Sequence, residues 1–412
     1  MRPGEARANL RGASRVLARI AIANANGSYR RAGERSNRAE TEGEALKLVD
    51  DAVLELVFNC PLTFDMSRRR LLLLGVALVA EALAPTTPRT VHLVVNPNSG
   101  SRAGLDILDA AVPVFERAGT RVNVLRTEYA GHALELAERA ELGDEDVLVG
   151  IGGDGTAHEL ANGMLRRAPA ARRPIGVLPG GSGNTWAYDL GLALGDAEAA
   201  AATVVAGRTR FVDVVRVDGA DAGADAGADA APPLYAINIC AYGFPAAVLG
   251  ATDALRALGL GAQYDLAGLG LIARGRTRYR CELALELADG RARAVRLDDA
   301  SFVQAQVNAH MGRLVPFAPA ARVDDGLLDL VLVKSSSGVD IVVANALARA
   351  GKHEELMECV EIVRCRSFAL TPAADAPRGA GSLNVDGELV GGAPFTATCM
   401  RGALEVLAPP PS

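Results

Sequence analysis

One feature constrains this chain more than any other: from Val91 onward, short apolar runs alternate with helical stretches. Val91 to Val95, Val122 to Arg126, Val147 to Ile151 and Ile175 to Leu178 read as strands, and the segments over about 104 to 118, 131 to 141 and 156 to 167 read as helices. Strands that alternate with helices pair in parallel through crossover connections. The pattern predicts a three-layer α/β domain over residues 89–210, built on a parallel sheet.

Past Phe211 the alternation gives way to strand-type segments: Phe211 to Val217, Leu234 to Cys240, Cys281 to Leu287, Ser301 to Asn308, Leu327 to Val333, Phe368 to Thr371 and Phe395 to Cys399. One helical stretch, around 249 to 276, interrupts them. So dense a series of short strands predicts a mostly antiparallel second domain over 211–408. Its first two strands are separated by an Ala/Gly/Asp repeat, residues 218–233, with no large apolar side chain to offset the entropy of ordering. The repeat reads as a disordered insert.

Composition removes several function classes. The protein of 412 residues is 50% apolar and 22% charged, which fits folded domains and not a disordered chain. A net charge of −6 argues against a nucleic-acid partner, because phosphate contacts need surplus basic surface. No apolar run reaches the ~18 to 20 residues of a transmembrane helix. Six cysteines without a C-x-x-C pair indicate neither a zinc site nor a disulfide framework, so a reducing, cytoplasmic setting is the natural reading.

Residues 1–88 form an amino-terminal extension. Arg7, Arg11, Arg15 and Arg19 recur every four residues beside Leu10, Val16, Leu17 and Ile20, the layout of a helix with a basic and an apolar stripe. An organelle-targeting presequence, a membrane-surface helix and a disordered extension all stay open here. Arg68 to Arg70 precede the apolar run Leu71 to Ala80, which is too short to span a bilayer; it reads as a helix or strand buried at the domain edge, with a segment steered by the arginines to an anionic membrane surface as the alternative.

The chemistry concentrates in three glycine-rich segments, each directly after a strand of the α/β domain: Asn96-Pro97-Asn98-Ser99-Gly100, Gly152-Gly153-Asp154-Gly155-Thr156 and Pro179-Gly180-Gly181-Ser182-Gly183-Asn184. Loops at the carboxyl ends of parallel strands meet along one rim, where ligands bind. Glycine lets backbone N–H groups approach phosphate oxygens there, and the helix that follows offers its positive end. Asp154, flanked by glycines, is poorly shielded and suited to reach a reacting hydroxyl or a bound cation. Its competing role is helix N-capping, which Thr156 could perform instead. Neither the G-x-x-x-x-G-K-[ST] loop nor the H-R-D and D-F-G sets of protein kinases occur.

These three segments, together with Asn384-Val385-Asp386-Gly387-Glu388 far downstream, resemble the diacylglycerol kinase catalytic-domain superfamily, which includes sphingosine, ceramide and bacterial lipid kinases. The resemblance runs in order from about Val91 to Leu407. It implies an α/β nucleotide-binding domain followed by a β-sandwich lipid-binding domain. It also implies ATP and Mg²⁺, a membrane lipid as acceptor, and transient contact with a membrane surface by a peripheral protein. Asn96, Ser99, Gly100 and Thr127 would contact the nucleotide, and Gly152, Gly153, Gly155, Thr156, Gly180, Gly181, Ser182, Gly183 and Asn184 would hold its phosphates, with Arg256 as a phosphate-contacting arginine. Asp154 would be the general base, Glu388 and Asp386 would act on Mg²⁺, Asp213 would join the catalytic network, and a carboxyl-terminal segment would return Glu388 to the cleft. A second phosphate arginine of the family aligns with the neutral Gln263.

The acceptor is read from finer likenesses. Thr127 to Ala133 and His158-Glu159-Leu160 resemble the sphingoid-type kinases, yet Leu249 stands where those kinases place an acid for the substrate's amine. Leu258 to Leu269 resembles ceramide kinases, whose substrate carries an amide there. The leading expectation is a lipid kinase acting on a primary hydroxyl of a sphingolipid-type lipid, with diacylglycerol second. A soluble-substrate kinase of the NAD type, sharing the G-G-D-G turn, and a non-catalytic lipid- or nucleotide-binding relative are the remaining readings.

Overall fold

A computed structural model of the protein describes residues 87–97, 103–219, 233–256, 263–373, 382–391 and 394–410. The expectations for the amino-terminal extension up to residue 86, the acidic repeat, Ser99, Gly100 and the side chains of Arg256 and Gln263 lie outside these residues.

Four strands, β1 (Thr90–Val95), β2 (Arg121–Arg126), β3 (Asp146–Gly152) and β4 (Ile175–Pro179), pair in parallel in the order β2-β1-β3-β4. Side chains alternate across the sheet, so each strand feeds two cores. Val91, Leu93, Val95, Val149 and Ile151 pack against Leu108, Ala111 and Phe115 of α1 (Ala103–Arg117) and Ala200, Ala201 and Val204 of a helix at Ala197–Val205. On the opposite face Val94, Leu148, Ile175 and Val177 meet α2 (His132–Arg139) and α3 (Asp154–Arg166). Gly163 lets α2 and α3 nearly touch: a β-carbon there would stand 2.2 Å from the Leu134 carbonyl oxygen.

Two short elements complete this half, α4 (Thr185–Asp189) and α5, the helix at Ala197–Val205. The chain then enters an antiparallel β-sandwich through β5 (Thr209–Asp218) and β6 (Leu234–Ala236). Further strands are β7 (Ile239–Gly243), β8 (Cys281–Leu287), β9 (Ala292–Leu297), β10 (Phe302–Gln306), β11 (Leu328–Val333) and β12 (Val360–Pro372). A hairpin of β13 (Leu383–Val385) and β14 (Glu388–Val390) precedes β15 (Phe395–Leu407). Helices α6 (Phe244–Arg256) and α7 (Gln263–Ala273) follow β7, and α8 (Gly338–Ala348) and α9 (His353–Leu356) follow β11. In β8, buried Cys281, Leu283 and Leu285 alternate with exposed Glu282, Ala284 and Glu286, the pattern of a sheet with one wet face.

Three readings of the sequence need correction. The run Leu234 to Cys240 is two strands, because the backbone turns at Ile237 and Asn238. Strands β12 and β15 are each 13 residues long, well beyond their apolar cores at Phe368 to Thr371 and Phe395 to Cys399. The elements α4, α5, β9, β13, β14, α8 and α9 are additional.

Strand β15 serves both halves. Its first part pairs with β12 and its whole length with β5; Leu404 and Val406, near its end, lie in the core beneath α2 and α3, and Val406 pairs in parallel with Ile175 of β4.

Candidate active site

The site is organised by α3, which begins at the Gly152–Gly153 turn. Asp154, its first residue, accepts hydrogen bonds on Oδ1 from the Trp186 amide (3.0 Å) and on Oδ2 from the Thr185 amide (3.1 Å). It therefore holds the start of α4, directly after the Gly180–Asn184 loop. The expectation that Thr156 caps α3 and leaves Asp154 free is not met. The residue at the N-cap position is Gly153, which has no side chain to cap with, and the Asp154 carboxylate is engaged by a different helix. Burial pushes its carboxyl above the usual range; the amides of Trp186 and Thr185 pull it back and the Asp386 charge pushes it further up. The Asn184 backbone amide pulls it back as well.

The two glycine loops lie backbone on backbone. Gly180 N–H donates to the Gly152 carbonyl (2.8 Å), and a β-carbon on Gly181 would stand 2.3 Å from the α-carbon of Gly153. Asn184, left-handed at φ 55°, accepts from Gly181 N–H and donates back to the Gly181 carbonyl, both at 2.8 Å. Its amide thus shapes the loop. Thr127 N–H and the Asn96 N–H close the neighbouring strand ends on Val95 and Ile151 carbonyls, at 2.9 and 3.2 Å. The Thr127 to Ala133 segment is fixed by Glu159 of α3, whose carboxylate accepts from the amides of Gly131 and Ala133, each at 3.0 Å.

The same helix fastens the second domain. His158 Nδ1 lies 2.8 Å from Asp386 Oδ2, and Asn162 is bonded in both directions to the Tyr235 backbone, donating at 2.8 Å and accepting at 2.9 Å. Asp386, left-handed at φ 51° and with its side chain fully buried, also accepts from the amides of Ile237, Asn238 and Ile239 at 2.7 to 2.9 Å. Four contacts occupy its carboxylate and leave it no role as an open cation ligand. Glu388, two residues on at the start of β14, is exposed. The hairpin that carries Glu388 is thereby tied one turn along the helix from Asp154.

Asp213 falls elsewhere. Asp213 accepts from Gly326 N–H (2.6 Å) and Gly402 N–H (2.7 Å) and is pushed up to about 6, first by burial. Strand β15 runs parallel to β4 and meets it at Val406, so Gly402 lies beyond the amino end of β4, opposite the glycine rim. The placement makes Asp213 a latch between strands. Leu249 is buried in α6, whose Gly250 packs against Leu389 of the hairpin.

One clasp at the rim was not anticipated. His310, on the loop after β10, contacts Asp189 of α4 twice: Nδ1 to Oδ1 at 2.6 Å, and its amide to Oδ2 at 3.0 Å. Two residues on, the Gly312 carbonyl accepts from the Thr185 hydroxyl (2.6 Å). The only sequence signal was polar residues at otherwise apolar positions. Asn162, fully buried in mid-helix, gave the same kind of signal.

Comparison with known proteins agrees with this architecture. Residues 90–217 match the diacylglycerol kinase catalytic domain, and residues 238–408 match the YegS C-terminal NAD kinase beta sandwich-like domain. The chain is 28% identical over 268 residues to a diacylglycerol kinase of Bacillus subtilis, covering 64% of this chain and 80% of that protein. It is 25% identical over 360 residues to sphingosine kinase 1 of Arabidopsis thaliana, covering 77% and 72%. The fold superposes on the crystal structure of a diacylglycerol kinase from Bacillus anthracis str. Sterne with a TM-score of 0.56 at 20% identity, over 79% of this chain and 98% of that one.

The matched catalytic domain and the diacylglycerol and sphingosine kinase relatives make the protein a lipid kinase, an enzyme whose family uses ATP. The chain belongs to the diacylglycerol kinase catalytic-domain superfamily.

Proposed function

We propose that the protein transfers the γ-phosphoryl group of ATP to a primary hydroxyl of a sphingolipid-type acceptor. The observation that carries this reading is the place of Asp154: its carboxylate joins the two glycine loops, on the helix that also holds the Asp386 hairpin. Phosphoryl transfer asks the protein mainly for positioning and charge neutralisation. Gly152, Gly153, Gly155, Gly180, Gly181, Ser182 and Gly183 offer a cradle for the phosphates, with Asn96 and Thr127 beside it and Arg256 as the cation. Asp154 takes the proton from the acceptor hydroxyl as that oxygen attacks, and its raised affinity for protons suits it to the task.

Magnesium enters with the nucleotide. Among the described residues no three His, Cys, Asp or Glu side chains converge on one point, and Mg²⁺ on ATP needs only one or two carboxylates besides phosphates and water. Exposed Glu388 fits that part. Asp386 contributes by holding the hairpin.

An apolar Leu249 disfavours an ammonium at that position, since a charged amine would be buried without a counter-ion. An amide-bearing acceptor such as a ceramide meets no such cost. Diacylglycerol is the second reading, favoured by the relatives of that name. No described helix is long and apolar enough to cross a membrane. Leu266 and Leu269 of α7 and Val339 of α8 are exposed, with Gly338 packed on Ile272 between them, a surface suited to transient contact with a bilayer.

The test is to incubate purified protein with labelled ATP, Mg²⁺ and short-chain ceramide, sphingosine or diacylglycerol. Transfer to ceramide is expected; transfer to none of them by folded protein overturns the reading.

A further inference from the structure

Beside the site runs a ladder of buried amides that the phosphoryl-transfer chemistry does not use. Gln304, Gln306 and Asn308 are all fully buried, and Asn238 nearly so. Gln304 Nε2 donates to Gln306 Oε1 (2.9 Å), Gln306 Nε2 to the Asn308 carbonyl (3.2 Å), and Asn308 Nδ2 to Asn238 Oδ1 (2.7 Å). The register of β10 on β7 sets Gln304 opposite Ala241 and Gln306 opposite Ile239, on one face of the sheet.

The donors of this ladder are used and two acceptors are not: Gln304 Oε1 and Asn308 Oδ1 are buried with no hydrogen-bond partner. A buried polar atom left unpaired is destabilising, whereas apolar side chains of the same shape would be nearly neutral. The ladder is tied to the site at both ends. Asn238 N–H donates to Asp386. Gln304 Nε2 also contacts Met311 Sδ (3.0 Å), next to the Gly312 carbonyl that accepts from Thr185.

We propose that Gln304 Oε1 and Asn308 Oδ1 recognise the polar head of the acceptor lipid and select one that brings its own donors. The inference rests on the lipid-kinase reading and narrows its substrate class. An N-acyl sphingoid lipid carries an amide N–H and a second hydroxyl besides the one phosphorylated. Diacylglycerol offers only the reacting hydroxyl and ester acceptors, which would leave both buried oxygens unpaired. Sites built to bond a substrate N–H or O–H discriminate strongly against analogues that lack it.

The experiment compares the full chain with its Gln304→Met and Gln304→Leu variants. Both substitutions keep the site filled, and either one suffices if the other fails to fold. Transfer kinetics and equilibrium binding are measured for short-chain ceramide and for diacylglycerol of matched acyl length. Expected is an increase of about tenfold in KM and Kd for ceramide, with kcat nearly unchanged and the diacylglycerol constants within about twofold of the parent. Equal effects on both lipids, no effect on ceramide, or a parent that binds no ceramide overturns the inference. Should the parent bind ceramide through Gln304 yet transfer phosphate to no lipid, the kinase reading falls and the recognition site stands.

Discussion

Nδ1 of His158 lies 2.8 Å from Oδ2 of Asp386, a residue 228 positions later in the chain. Through this contact the helix that begins with Asp154 holds the hairpin that carries Glu388. Replacing Asp386 by Ala strands the amides of Ile237, Asn238 and Ile239 as well as the imidazole. At ~1 to 3 kcal/mol for each buried unpaired group, and with water free to enter, a net loss of about 3 kcal/mol is expected. Thermal unfolding would register it as a drop of several degrees, and an unchanged midpoint would contradict the clasp.

Asp154→Asn removes the proposed base while keeping its shape. The rate of transfer is expected to fall ~10²- to 10⁴-fold, the usual contribution of a positioned base. Nucleotide affinity, measured by titration calorimetry, should change little. A variant with near-normal kcat would show that Asp154 serves only to hold α4.

Gly181→Ala acts on the phosphate cradle alone. Its β-carbon would collide with the α-carbon of Gly153 at 2.3 Å, so the two loops must part. KM for ATP is expected to rise by about tenfold or more, with KM for the lipid much less affected. Equal shifts in both constants would place the loop's influence elsewhere.

Asp329 gives a pH signature. Its side chain is 2% exposed, neither oxygen has a hydrogen-bond partner, and the Arg364 guanidinium, at 3.6 Å, is opposed by the charges of Asp325 and Glu354. Burial raises its carboxyl from 3.8 to about 6. The folded state therefore binds the proton more tightly than the unfolded one. The stability this contributes is complete below about pH 4 and is lost as pH rises through about 6. Asp329→Asn should match the parent near pH 4 and exceed it by up to about 3 kcal/mol at pH 8. Denaturant titrations at the two pH values decide this; a constant difference would refute it.

How legible all this was depends on what each residue does. Strands β1, β3 and β4 were evident because both of their faces are buried, which writes an unbroken apolar run. The short hairpin of β13 and β14 left no such trace, since three residues a side cannot display a period. The glycine loops and Asp154 stood out by composition. The positions of Asp386 and Asp213 did not, because an acid in a turn or a strand reads alike in sequence whether its carboxylate faces a ligand or closes on amides. Only the long-range partners, Ile237 to Ile239 for one and Gly326 and Gly402 for the other, distinguish the two. His310 and Asp189 showed only as polar residues at otherwise apolar positions, which does not name the partner of either.

The double service of β15 bears on how the protein is made. The open edge of β4 is covered by Val406, and Leu404 and Val406 fill the core on that side. A nascent chain that has already produced all four parallel strands still shows the ribosome's surroundings a bare sheet margin and a gap in its interior. Neither closes until the entire β-sandwich has been translated. The α/β half is thus an unfinished body for most of its synthesis, its margin and interior open until the last strand arrives.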